Sequence, residues 1–160
     1  DKGMVETFLR MMEAILLGEE RIPYIYNKEW YKRLPKCEAV YLFRNIEGKV
    51  CYVGESACFR KRMADLYDTR RHTLRRNIAE VNFSHLPGYI KPTSNRKGNQ
   101  DTESRVTVVM ESMTMSYLPV RLGRSEFEEY MIEKYNPMYE KSDFDAGNDV
   151  ADVCNEQLLG

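Results

Sequence analysis

Two short apolar runs separated by turn chemistry constrain this chain more than any other feature. Ala39-Val-Tyr-Leu-Phe-Arg44 and Lys49-Val-Cys-Tyr-Val-Gly54 are rich in β-branched and aromatic residues, and Asn45-Ile-Glu-Gly48 between them has hairpin-turn composition. A hairpin here commits the chain to a sheet whose other elements must cover at least one face. With the turn centred between Ile46 and Glu47, Tyr41 stands directly opposite Tyr52, and opposed residues share a face. Two phenolic hydroxyls are then presented together. The plainer alternative is an aromatic cross-strand pair that fills the core.

The flanking sequence supplies the cover. Phe8, Met12, Ile15 and Leu16 follow helical spacing over Val5 to Leu17, with Gly18 to end the helix. Residues 19–38 carry Tyr24, Tyr26, Trp30 and Tyr31 between Pro23 and Pro35, a cluster suited to sealing a core edge. After the hairpin, a helix is predicted from Ser56, a good N-cap, to Arg70, and a second from Thr73 to Val81. Residues 87–105 form a long polar stretch, which in a compact domain is functional or disordered. A helix capped by Asp101 follows over 102–113, then a strand from Thr114 to Arg121. A last helix runs from Glu126 to Tyr135 and stops before Pro137. The expected fold is α+β, with a small three-stranded antiparallel sheet flanked by helices. The expected division is an N-terminal helical extension (1–37), a central domain (38–141) with a polar insertion at 87–105, and an acidic tail (142–160).

Composition excludes some classes. The 160 residues suit one soluble domain. No apolar run approaches the roughly 18 residues that span a bilayer, so no membrane role is expected. No signal-peptide pattern opens the chain, which predicts a cytoplasmic location with reduced thiols. Cys37, Cys51, Cys58 and Cys154 form no CxxC pair, so a structural zinc site is not expected.

Three charged features stand out. On the helix after the hairpin, Phe59, Met63, Leu66 and Arg70 define one face, and Arg62 borders it. A guanidinium on that flank needs an anion, either a protein carboxylate or a ligand phosphate. On the last helix Glu128 falls within the apolar arc of Phe127, Tyr130, Met131, Ile132 and Tyr135. It either completes a capping box with Ser125 or holds a hard cation such as magnesium. The net charge of −1 hides an asymmetry. Arg60, Lys61, Arg62, Arg70, Arg71, Arg75 and Arg76 face only Asp65 and Asp68 within their run, and Arg96 and Lys97 extend the charge into the polar loop. Such a run suits either a solvated helical face or a phosphate-tracking surface.

In this order, Ala39-Val-Tyr41, Tyr52-Val-Gly54, Arg62 eight residues later and Glu128 resemble the GIY-YIG nuclease family. Ile132 and Pro137 match the apolar residue and proline that follow the family's glutamate. Leu66 stands where the family often has His or Lys, and His72 is the candidate replacement in space. Glu140 stands where the family tends to have Asn. The resemblance implies hydrolysis of phosphodiester bonds, most readily in double-stranded DNA. Tyr41 would be the general base, helped by a cation because a tyrosine's ordinary pKa is about 10. Arg62 would clamp the phosphate, Tyr52 would position water or phosphate, and Glu128 would hold one Mg²⁺ or Mn²⁺. Two other readings stand beside it. One is a non-catalytic nucleic-acid-binding module of the same fold; the other is a protein-interaction domain whose acidic tail binds a basic partner. The oligomeric state is open between monomer and homodimer.

Overall fold

The computed structural model describes residues 1–140; the acidic tail lies outside them. The elements run α1 (Lys2–Gly18), β1 (Ile22–Pro23), α2 (Lys28–Lys32), β2 (Ala39–Arg44), β3 (Val50–Ser56), α3 (Phe59–Ala64), α4 (Thr73–Phe83), α5 (Gln100–Glu111), β4 (Thr114–Pro119) and α6 (Arg124–Tyr135). The fold is α+β. The antiparallel sheet has four strands in the order β1-β4-β2-β3, one more than expected, because the two-residue β1 pairs Ile22 with Met115.

Helices cover both faces, so every residue of the central strand β2 is buried. This explains why β2 reads as a nearly continuous apolar run. Ala39, Tyr41 and Phe43, with Tyr52 of β3, pack in one core with residues of α3, α4 and α5. Val40, Leu42 and Val53 pack on the other face with Met12 and Leu16 of α1 and Phe127 and Met131 of α6. The aromatic segment after α1 seals the first core with three of its four expected members: Tyr24 and Trp30 are buried and meet edge to face at 4.9 Å, Tyr31 is half-buried against the same core, and Tyr26 is exposed.

The hairpin register differs from expectation. Asn45 accepts from Gly48 N–H, its side chain accepts from the N–H groups of Glu47 and Lys49, and Gly48 takes the left-handed conformation at φ 81°. This turn is longer than a two-residue one, and a bulge follows: Arg44 pairs with Val50, yet Phe43 pairs with Tyr52. Tyr41 therefore stands opposite Gly54, not Tyr52. The total slip is an even number of residues, so both tyrosines stay on the same face.

Helix boundaries also moved. The helix expected from Ser56 to Arg70 is confined to α3, whose N-cap Cys58 makes no side-chain cap bond; Ser56 Oγ accepts from Cys58 N–H instead. The polar loop ends earlier than expected, because Asn99 rather than Asp101 caps α5. α6 starts at Arg124 after Gly123, with no side-chain cap, so the capping box at Ser125 and Glu128 does not form. Cys37 and Cys51 are free thiols, whereas Cys58 is disulfide-bonded, contrary to the expectation of four reduced thiols.

Candidate active site

The local chemistry of β2 and β3 places the first site residues. Tyr41 and Tyr52 project from the same face with ring centroids 6.2 Å apart. The Tyr41 ring lies across the backbone of Gly54: a Cβ there would overlap the Tyr41 hydroxyl and ring. The glycine is required by this close approach. Phe59, the first residue of α3, closes the other side of the ring at 5.9 Å and itself packs on Tyr117 at 4.6 Å.

His72 completes the cluster. It is the N-cap of α4, fully buried, and its Nδ1 accepts from the Leu74 N–H at 3.0 Å. A backbone N–H can only donate, so in the neutral ring the proton must sit on Nε2. Nε2 lies 3.1 Å from the Tyr41 hydroxyl oxygen. His72 thus donates to that oxygen, and a hydrogen bond donated to a phenolic oxygen favours its deprotonated form. His72 also lies 5.6 Å from the Tyr52 ring. Spacing alone does not bring His72 to Tyr41, because β3 and α3 lie between them in the chain and only folding makes them meet.

Arg62 is buried on α3. Its Nη1 donates to the Arg71 carbonyl at 3.1 Å and lies 3.5 Å from the Asp65 carboxylate. It therefore braces the backbone immediately before His72. Glu128 is half-buried on α6, one turn after Arg124, whose Nε donates to Glu55 of β3 at 3.0 Å. No group of three or more His, Cys, Asp or Glu side chains among the described residues could cage a metal. A single carboxylate suits Mg²⁺, which retains several waters and takes substrate phosphate oxygens as ligands.

Glu140 shows what replaced the expected asparagine. Its carboxylate accepts from the Val53 N–H on edge strand β3 at 3.2 Å, and Tyr139 N–H donates to the Cys51 carbonyl at 2.9 Å. Asn77 of α4 donates to the carbonyls of both Tyr139 and Glu140. Tyr139 and Glu140 thus cover a sheet edge that would otherwise offer unpaired groups. Burial pushes the neighbouring Cys51 thiol up to about 12, so it stays protonated.

The expected basic face is only partly a surface. Arg75 is fully buried, paired with Glu103 at 2.8 Å, while Glu103 also accepts from the Thr69 N–H. Arg76 is buried too, donating to the carbonyls of Thr69 and Arg70. Both belong to the packing of α4 rather than to a phosphate-facing surface, because a run of charges does not record which side chains turn inward. Arg70 and Arg71 are exposed but share Asp68. The Arg60 Nε donates to the Leu34 carbonyl, Lys61 is half-buried, and Arg96 and Lys97 are exposed.

The GIY-YIG catalytic domain family model matches residues 37–141, most of the chain. The chain belongs to the GIY-YIG nuclease family, and this region is a nuclease-type domain. The family are phosphodiester hydrolases, so nucleic acid is the implied substrate class. No curated protein and no solved structure matches the chain. No described helix is long and apolar enough to cross a membrane.

Proposed function

We propose that this domain is a metal-dependent endonuclease acting on double-stranded DNA. The observation that carries the reading is the 3.1 Å contact between His72 Nε2 and the Tyr41 oxygen, with the tautomer set by Leu74. Tyr41 takes the proton of the attacking water, and His72 holds the phenolic oxygen in the state that can accept it. Tyr52 positions water or phosphate beside it. Arg62 clamps the scissile phosphate, in keeping with the preference of a guanidinium for a phosphate fork. Glu128 holds Mg²⁺ or Mn²⁺, which when bound supplies charge stabilisation to the phosphate and leaving oxygen. Arg60, Lys61, Arg70, Arg71, Arg96 and Lys97 remain candidates for phosphate contacts around the site. A cytoplasmic location fits this role.

The test is incubation with supercoiled plasmid in Mg²⁺, in Mn²⁺ and in chelator. Nicking that requires metal and is lost in Arg62→Ala and Glu128→Ala supports the reading; full activity in both variants overturns it. Salt-dependent DNA binding without metal-dependent cleavage would instead identify a non-catalytic binding module.

A further inference from the structure

The segment before β2 carries a charged surface that the composition of the arginine run does not reveal. Lys28, Lys32, Arg33 and Lys36 fall within nine residues that contain one acid, Glu29. All four are exposed, while Trp30 and Leu34 between them are buried. The apolar side chains thus anchor the segment and leave the cations outside. Lys32 makes only a 3.9 Å contact with Glu29, with both side chains more than half exposed. Lys28, Arg33 and Lys36 make no ion pair with any described residue. The contrast with Arg70, Arg71, Arg75 and Arg76, which are all engaged by Asp68, Glu103 or backbone carbonyls, is direct.

This segment is braced. Tyr67 donates to the Asn27 carbonyl at 2.6 Å, Arg60 Nε donates to the Leu34 carbonyl at 2.6 Å, and Phe59 N–H donates to the Cys37 carbonyl at 2.8 Å. Trp30 Nε1 donates to the Pro23 carbonyl at 2.9 Å. Phe59 is also the residue packed on the Tyr41 ring at 5.9 Å. Lys36 therefore sits next to the backbone contact that leads directly to the Tyr41 cluster. Arg60 and Lys61, both half-buried, lie on α3, against which α2 packs.

We propose that Lys28, Lys32, Arg33 and Lys36 form a phosphate-contact surface that holds the backbone of double-stranded DNA beside the Tyr41 cluster. Cations that are exposed, carried on a rigid frame and, Lys32 apart, without an ion pair are what release counterions when they meet phosphates. The proposal rests on the nuclease reading only for the nature of the site that the surface flanks.

The test is fluorescence anisotropy of a labelled DNA duplex of about 20 base pairs, in chelator, across a salt series. Replacing all four cations by Ala is expected to lower the slope of log K against log salt by about 3–4, and to weaken binding at least about tenfold near 0.1 M salt. Arg33→Ala with Lys36→Ala, the pair nearest α3, is expected to lower the slope by about 2. Lys2→Ala with Arg10→Ala on α1, which packs on the opposite face of the sheet, is expected to leave it unchanged. A quadruple variant with the parent's slope and affinity overturns the surface, as does a parent chain that does not bind the duplex. The two readings separate cleanly. Plasmid nicking with an unchanged slope in the quadruple variant removes the surface and keeps the nuclease. A reduced slope in a chain that never nicks keeps the surface and removes the nuclease.

Discussion

Each face of the sheet holds a cluster of phenols around one ionisable partner, and the hydrogen bonds run in opposite directions. On the β2–β3 face, His72 donates to the Tyr41 oxygen at 3.1 Å. On the opposite face, Tyr130 donates to the Glu13 carboxylate at 2.7 Å, Tyr135 donates to its other oxygen, and Lys134 completes the cluster at 2.8 Å. Burial, then the bond to Glu13, pushes Tyr135 up to about 12; the bond to Glu13, then burial, raises Tyr130. Those phenols stay protonated and tie α1 to α6. Tyr24 behaves as they do: buried and donating to the Leu66 carbonyl at 2.8 Å, it is raised by burial. Tyr41 is as buried as Tyr24, so the direction of the bond separates them: a phenol that donates to a carboxylate or carbonyl stays protonated, whereas a donor aimed at its oxygen favours the anion that a general base requires.

The largest expected effect tests that difference directly. Tyr41→Phe keeps the ring over Gly54 and removes the oxygen, so nicking of plasmid is expected to fall about 10²–10⁴-fold, far beyond the roughly 1–2 kcal/mol of stability lost with the buried hydrogen bond. Unaltered nicking would erase the distinction between the two faces. Arg75→Ala probes the same face away from the reacting groups. It leaves Glu103 buried without its partner and is expected to lower stability by about 3–5 kcal/mol in denaturant titrations. The loss of nicking should then follow the unfolded fraction alone.

His72→Asn sharpens the comparison. Asparagine can still cap α4, but it offers no ring donor to Tyr41. Nicking should fall roughly 10–100-fold, as for loss of a hydrogen bond to a charged group, with about 1–2 kcal/mol of stability lost with the buried ring's bond. His72→Ala should add about 1 kcal/mol of destabilisation from the lost cap. Tyr135→Phe is the counterpart on the opposite face, expected to cost about 1–2 kcal/mol of stability while nicking stays within about twofold of the parent.

The smallest effect is in pH. Burial alone would raise the Glu13 carboxyl, but bonds from Lys134, Tyr130 and Tyr135 hold it below the ordinary value of 4.5. A group depressed in the folded state stabilises the fold fully above its unfolded value and loses that contribution as pH falls through the folded one. Thermal melts should therefore show stability declining below about pH 4.5, less steeply in Glu13→Gln. Equal slopes in the two chains would show that the cluster adds nothing.

The hairpin was legible because β-rich runs and turn residues are local signals. Its register was not, since it depends on Gly48 adopting φ 81° and on a bulge that shifts Tyr52 from Tyr41 to Phe43. Helical spacing accounts for Arg62 beside the buried Phe59 and Met63, but Leu66 and Arg70 of the expected face lie beyond the end of α3, and Arg70 is exposed. The inward turn of Arg75 and Arg76 was not legible. It depends on Glu103 and Thr69, which reach them only through folding. The four cations from Lys28 to Lys36 were visible as residues, but their position beside α3 was not.

By itself, then, the sequence determined the hairpin, most of the helices, the family and the identities of the residues offered for chemistry, because propensity, periodicity and motif order are properties of neighbouring positions. Only the tertiary structure decided that Tyr41 lies on Gly54, that His72 reaches it with Nε2, and which arginines face water. Those are contacts between segments distant in the chain, set by packing and hydrogen-bond direction, and neither quantity is written in local sequence.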